Sequence, residues 1–261
     1  MKCYNAFGIK PTNSFVSAGS DYYIPNLNED SKIEKALKAF EKSYKKTTED
    51  IQQLIKYFDT VLDELYPEVP KQQIPNLVHL FLALYDAELE QRKQYALIQG
   101  VYCFVDEFMV YDKTNDKVGI KVRLNDTLFI NSGIKVALDT VLSDKTGPNP
   151  THLVDLFRLL GIGVAGLYVN KSGNGNKGWD VRACLVDEDY AGFVHLSMAY
   201  TKEVLEFSKD NVIWCGDKLT QMMLIPVFHD EYIETEEDNY DKIMSNSQRG
   251  DNGFGSQDIK H

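Results

Sequence analysis

The apolar residues of this 261-residue chain change their period twice. From Ser31 to Tyr66 they recur at helical spacing, first as Ile33, Leu37, Phe40 and Tyr44, then as Ile51, Leu54, Ile55, Phe58, Leu62 and Leu65. Before Leu27 and after Val101 the texture is that of short strands broken by Gly, Pro, Ser and Asn. A helical block enclosed by strand-like sequence fits neither a helix bundle nor an alternating α/β sheet. It predicts an all-β body with helical material inserted near its start.

Within the block, Ser31 and Glu34 have capping-box spacing, with Asn28 and Asp30 as rival caps, and Pro67 and Pro70 stop the first helix. A hinge is expected at Thr47-Thr48, with Thr48 capping the second half. A second helix is expected from Pro75 or Asn76 to about Gln99, ended by Gly100, so that the pair forms an αα-hairpin. Val101 to Tyr111 reads as a strand, Asp112 to Asp116 as a turn, and Val122-Arg123-Leu124, Leu128-Phe129-Ile130 and Ile134 to Leu138 as further strands. Another helical piece is expected between Thr140 and Gly161.

Length permits one enlarged domain or a core with an appendage. The formal charge is 28 minus 39, or −11, which disfavours a broad footprint for polymeric nucleic acid or an anionic membrane. The longest strongly apolar stretch, Leu77 to Tyr85 with His79 inside it, is far short of a membrane span. The N-terminus has no continuous apolar run of a secretion signal, so a cytoplasmic protein is expected. Cys3, Cys103, Cys184 and Cys215 are not spaced for zinc and read as buried reduced thiols.

Seven acids and no base fall between Asp230 and Asp241, which marks an exposed, solvated segment. It is followed by Arg249-Gly250-Asp251-Asn252-Gly253-Phe254-Gly255-Ser256. One Arg, one Phe and one Ser among glycines are the parts needed to wrap amides around a phosphate, neutralise it and stack on a base.

That tail is the last of five segments that resemble, in order, the motifs of the homotrimeric dUTP pyrophosphatases (dUTPases). The others are Ser17-Ala18-Gly19-Ser20-Asp21, Lys171-Ser172-Gly173, Leu185 to Gly192 with Asp187-Glu188-Asp189-Tyr190 inside it, and Gly216-Asp217-Lys218-Leu219-Thr220-Gln221. Asn131 to Ala137 is similar to the family's strand between the first two motifs. The resemblance implies a mainly β, jelly-roll β-barrel of the β-clip type. It also implies a homotrimer with C-terminal arms exchanged between subunits, and hydrolysis of dUTP to dUMP and pyrophosphate with Mg²⁺.

By the same resemblance Asp187 is the general base that orients and deprotonates water, and Tyr190 packs under the deoxyribose. Lys171, Ser172 and Gly173 bind phosphate, Gln221 contacts the α-phosphate, and Asp21 helps hold the water shell of Mg²⁺. A β-hairpin over Gly178 to Cys184 would read uracil with its backbone, through Val181 and Ala183. In the tail, Phe254 would stack over uracil, Arg249 would pair with the γ-phosphate, and Gly255 and Ser256 would close over the phosphates.

The chain departs from the family pattern in three places. Lys171 stands where an Arg is usual, Asn174-Gly175 where small apolar residues are common, and Ala191 where an Arg precedes the glycine. Asp21 and Gly133 are also separated by 112 positions, far more than in the family. The expected division is therefore a β-barrel over 1–27 and 118–229 with a short helical insert near 140–161, a mainly helical hairpin insertion over 28–117, and an acidic linker and arm over 230–261. The insertion is a candidate surface for a protein partner. Two other readings share the fold: a dCTP deaminase, and a regulatory protein acting through the insertion.

Overall fold

The computed structural model describes residues 2–6, 12, 13, 20–27, 30–89, 95–138, 157, 159–203 and 209–229, with single positions at 234, 236, 237, 239, 242 and 245. Residues Met1–Val227 form one compact unit and Phe228–His261 a second. In the first unit, four helices and a set of short strands share one apolar core.

The helical material is more divided than a hairpin. Helix α1 spans Asp30–Tyr44, α2 Thr48–Leu65, α3 Ile74–Leu89 and α4 Tyr95–Glu107, with a 3₁₀ turn at Lys71–Gln73 leading into α3. The break between α1 and α2 falls where a hinge is expected. Lys45 turns the chain through φ +52°, a left-handed conformation that ends α1. The cap is Thr47, not Thr48: the Asp50 amide donates to Thr47 Oγ1 at 3.1 Å and the Thr47 amide to Asp50 Oδ2 at 3.0 Å. Spacing explains the choice, because three residues after Thr48 stands the buried Ile51, which has no acceptor to offer.

Gly100 does not end a helix but lies inside α4, and Val101 to Glu107 is helical where a strand is expected. The period decides the matter. Val101, Phe104, Val105 and Phe108 are buried at helical spacing while Cys103 is exposed, so burying that face outweighs the cost of one glycine, about 1 kcal/mol. Helix α3 is the hub, with Leu77, Val78, Leu80, Phe81 and Leu82 fully buried on every side. Phe58, Phe81 and Phe104, one from each of α2, α3 and α4, meet edge to face with centroids 5.4 to 5.9 Å apart.

The strands are β1 Lys2–Asn5, β2 Thr12–Asn13, β3 Ser20–Tyr23, β4 Met109–Asp112, β5 Lys117–Lys121, β6 Thr127–Asn131 and β7 Ile134–Ala137. They continue as β8 Ile162–Asn170, β9 Trp179–Ala183, β10 Leu185–Val186, β11 His195–Tyr200, β12 Val212–Trp214 and β13 Lys218–Phe228. Among the described residues they form sheets ordered β1-β7, β10-β8-β13-β3-β2, β6-β11-β9 and β12-β5-β4. Val122-Arg123-Leu124 is not a strand but a turn after β5, in which Asp126 Oδ2 accepts from the Arg123 amide at 3.1 Å. The helical piece expected between Thr140 and Gly161 falls largely outside the described residues.

Side-chain hydrogen bonds tie the helical layer to the strands. Asn131, buried where β6 turns into β7, donates to Ser43 Oγ at 2.6 Å and accepts from the Gly133 amide at 2.7 Å. Asn76, buried on α3, accepts from the Leu27 amide at 2.7 Å and donates to Gln73 Oε1 at 2.9 Å; Gln73 in turn donates to Asp116 O at 2.9 Å in the β4–β5 turn. Buried amides survive in an apolar core only when so satisfied. Of the thiols, Cys215 is buried, whereas Cys103 and Cys184 are exposed, against expectation: one lies on the outer face of α4 and the other at the step between β9 and β10.

Candidate functional site

Three segments that are distant in sequence meet at one end of the five-stranded sheet. Strands β8, β13 and β3 are neighbours there. Lys171 follows the last residue of β8, Gln221 lies on β13, and Asp21 on β3 is its direct cross-strand partner. The Lys171 ammonium stands 2.5 Å from Asp21 Oδ1, and Gln221 Nε2 donates to the same oxygen at 3.2 Å. Lys218, the first residue of β13, places its ammonium 3.3 Å from Asp21 Oδ2 and 5.5 Å from the centre of the Tyr23 ring. Burial works to raise the Asp21 carboxyl, but the hydrogen bond and charge of Lys171, joined by Lys218 and Gln221, outweigh it and hold the group below its ordinary value.

Lys218 is a residue the motif comparison did not single out, although it stands in the quoted Gly-Asp-Lys-Leu-Thr-Gln segment. An arginine fork would serve both oxygens of Asp21 at once. Here Lys171 takes one oxygen and Lys218 the other. Asn174, a departure from the family pattern, also has a task. Its Nδ2 donates to the carbonyls of Lys218 at 2.9 Å and Leu219 at 2.8 Å, fastening the second motif to the fourth.

Lys171 is the N-cap of a short helix, α5, over Ser172–Lys177, which places Ser172 and Gly173 at its exposed start. A Cβ at Gly173 would meet no protein atom within 4 Å, so the fold itself makes no demand for glycine there.

The third motif forms a separate turn beyond β10. The Tyr190 amide donates to Asp187 O at 3.2 Å, and the Tyr190 hydroxyl donates to Phe193 O at 2.8 Å. Gly192 is required sterically, because a Cβ there would run into the Tyr190 hydroxyl and ring. Asp187 is exposed and Tyr190 is 42% exposed, and the structure gives neither side chain a contact with the Asp21 group.

The expected hairpin over Gly178 to Cys184 is instead the single strand β9, paired to β11. Val181 faces Met198 and Ala183 faces Ser197, so Arg182 is an extra residue between them. This bulge leaves a local break in the ladder. The reason no hairpin forms is that β10 leaves the sheet of β9 to pair with β8. Arg249, Phe254, Gly255 and Ser256 lie outside the described residues.

Among the described residues no cluster of three His, Cys, Asp or Glu side chains is placed to hold a metal. Both oxygens of Asp21 are engaged by cations, so Asp21 does not fit as a direct metal ligand; contact through water is what its position allows. Among the same residues no helix is long and apolar enough to cross a membrane.

No family model matches the chain. A curated deoxyuridine 5'-triphosphate nucleotidohydrolase from Hydrogenobaculum sp. (strain Y04AAS1) is 32% identical over 75 residues, which are 29% of this chain and 44% of that protein. The chain thus matches less than half the length of this relative. Among solved structures, the Staphylococcus bacteriophage 80alpha dUTPase with dUpNHpp aligns at TM-score 0.36 and 17% identity, covering 57% of this chain and 90% of that one. The native EIAV dUTPase aligns at TM-score 0.29 and 13% identity over 51% of this chain and 92% of its own. Over those 75 residues the chain is similar in sequence to a dUTPase.

Proposed function

We propose that the protein is a dUTP diphosphatase, hydrolysing dUTP to dUMP and pyrophosphate by attack of water on the α-phosphorus. The observation that carries this reading is the convergence of Asp21 and Gln221, on adjacent strands, with Lys171 just beyond the end of β8 and Lys218 beside them. An acidic protein here concentrates two ammoniums and an amide at the place where the motif resemblance puts a triphosphate.

Lys171 and Lys218 supply positive charge to the phosphate chain, and Asp21 holds the two ammoniums apart and in register. Ser172 and the amides at the start of α5 offer donors to phosphate oxygens, with Gly173 leaving room for close approach. Gln221 is oriented by its bond to Asp21 toward the α-phosphate. Mg²⁺ on the substrate phosphates would neutralise charge, with Asp21 touching its water shell.

Asp187 orients and deprotonates the attacking water, and Tyr190, fixed through Phe193, offers a ring against the deoxyribose that excludes a 2′-hydroxyl. The backbone of Val181 and Ala183, beside the bulge at Arg182, pairs with the edge of uracil. Because Asp187 and Tyr190 lie apart from the Asp21 group, the complete site calls for more than one copy, and the proposed assembly is a homotrimer. Arg249, Phe254, Gly255 and Ser256 would be supplied by an arm from a neighbouring copy.

The test is to incubate the purified full chain with dUTP, dCTP, dTTP or UTP and Mg²⁺, and to assay pyrophosphate and ammonia. Pyrophosphate from dUTP alone is expected. Ammonia from dCTP would replace the reading with a deaminase, and neither product would leave a nucleotide-fold protein acting through a partner.

A further inference from the structure

A second concentration of positive charge lies between α1 and the β1-β7 sheet, beside the turn of the third motif. A cavity of about 450 Å³ is lined there by Tyr4, Lys35, Lys38, Ala39, Lys42, Lys135 and Phe193. Its volume is within the range of small-molecule sites. Lys35, Lys38 and Lys42 share one face of α1 at helical spacing, with the small Ala39 leaving room between them. Lys135 comes from β7 on the opposite wall, and its ammonium sits 4.9 Å from the centre of the Phe193 ring.

Four ammoniums line this cavity, and among the described residues the lining holds no carboxylate. Lys38 is balanced in part, because Glu34 pairs with it at 2.8 Å and Glu41 also acts on it, although the Lys38 and Glu34 side chains are largely exposed. Burial pushes the Lys135 ammonium down from its ordinary value, and the neighbouring Lys42 pushes it further the same way. A cavity of about 630 Å³ along β4, β5 and β12 provides a contrast. It too holds three lysines, Lys113, Lys121 and Lys209, but Asp112 lies in its wall and feels the charge of Lys209. In the α1 cavity the counter-charge among the described residues falls on Lys38, whereas Lys42 and Lys135 press on each other.

We propose that the cavity of Lys35, Lys38, Lys42 and Lys135 is a second anion site, which binds a small molecule carrying more than one phosphate group. Several phosphates match several ammoniums set on two walls, whereas one carboxylate would leave most of them unmatched. Tyr4, 55% exposed at the rim, offers a ring to any planar group attached to those phosphates. The site shares no residue with the Asp21 group, although Phe193 in its wall also accepts from the Tyr190 hydroxyl.

The experiment is isothermal titration of the full chain, without Mg²⁺, using inorganic tripolyphosphate and dATP as probes. It is run on the unaltered protein, on Lys171→Ala, and on the double variant Lys42→Gln/Lys135→Gln, which keeps the side-chain stems. Tripolyphosphate should bind in the unaltered protein, persist in Lys171→Ala, and weaken at least tenfold in the double variant. Lys42→Arg/Lys135→Arg should restore it, and circular dichroism melts should show the variants folded. Equal binding of the two probes assigns recognition to the phosphate chain, and tighter dATP binding adds stacking on Tyr4; either supports the site. Absence of heat with the unaltered protein, or unchanged affinity in the double variant, would overturn it. Neither result depends on whether the protein hydrolyses dUTP.

Discussion

The helical layer and the end of the five-stranded sheet are built on opposite principles. Around α3 the side chains are mostly apolar and closed, and the buried Asn76 spends its hydrogen bonds within the protein, on the Leu27 amide and the Gln73 and Asn26 side chains. Around Asp21 a buried carboxylate is held by charges on the more exposed Lys171 and Lys218 side chains, with which a ligand can exchange. If the proposed chemistry belongs to the second region and stability to the first, substitutions should separate the two.

The largest separation is expected at Asp187. Replacing it with Asn removes the proposed base while leaving shape intact, so kcat for dUTP should fall about 10²- to 10⁴-fold with the melting temperature unchanged. Isothermal titration should still detect nucleotide. A variant with full turnover would remove Asp187 from the mechanism. The converse is Phe81→Ala in the aromatic cluster of α2, α3 and α4, which should cost about 3–5 kcal/mol of unfolding free energy in a denaturant titration. Its kcat at a temperature where it is folded should stay close to that of the unaltered protein. If activity fell with stability held, the layer would be part of the site.

Acid should strike the seam between the two regions. His79 on α3 lies fully buried, its ring 5.0 Å from that of Phe40, and His195 on β11 stacks on Phe129 with centroids 4.3 Å apart. Burial, with His195 nearby, lowers His79 from 6.5 to about 3, and burial lowers His195 as well. The unfolded chain therefore binds more protons than the folded one between those values, so stability is present above the ordinary histidine range and is lost as pH falls through it. The slope is about 1.4 kcal/mol per pH unit for each histidine. Melts from pH 7.5 down to 5 should show the loss, and His79→Gln should flatten it. The same slope in the variant would remove His79 and leave His195 or the carboxylates as the source of acid sensitivity.

How far the sequence disclosed these regions depends on what kind of interaction built them. The break between α1 and α2 was legible because a cap is a local device, and the one-residue error between Thr47 and Thr48 came from ignoring where Asp50 stands. Val101 to Glu107 misled because Val101, Cys103 and Val105 alternate as in a strand; only the tertiary burial of Phe104 with Val105 shows the helical face. Within the site, Asp21, Lys171 and Gln221 were legible through their motifs, since each keeps its residue type or charge. Asn174 and Lys218 were not, because their work consists of contacts between segments 44 and 197 positions apart, which no local pattern records.

The smallest expected effect tests that last point. If Lys171 and Lys218 together replace one arginine fork, Lys218→Ala should leave Asp21 Oδ2 without its cation and lower kcat/KM for dUTP about three- to tenfold, with little change in melting temperature. Lys171→Arg alone should change little, because Lys218 already serves the second oxygen. In the Lys171→Arg/Lys218→Ala protein the fork can reach both oxygens, and most of the lost activity should return. Such a non-additive cycle distinguishes shared grip on one carboxylate from two separate phosphate contacts, since two separate contacts would give losses that Lys171→Arg does not repair. Additive losses would thus break the proposed equivalence and leave Lys218 as an independent phosphate ligand.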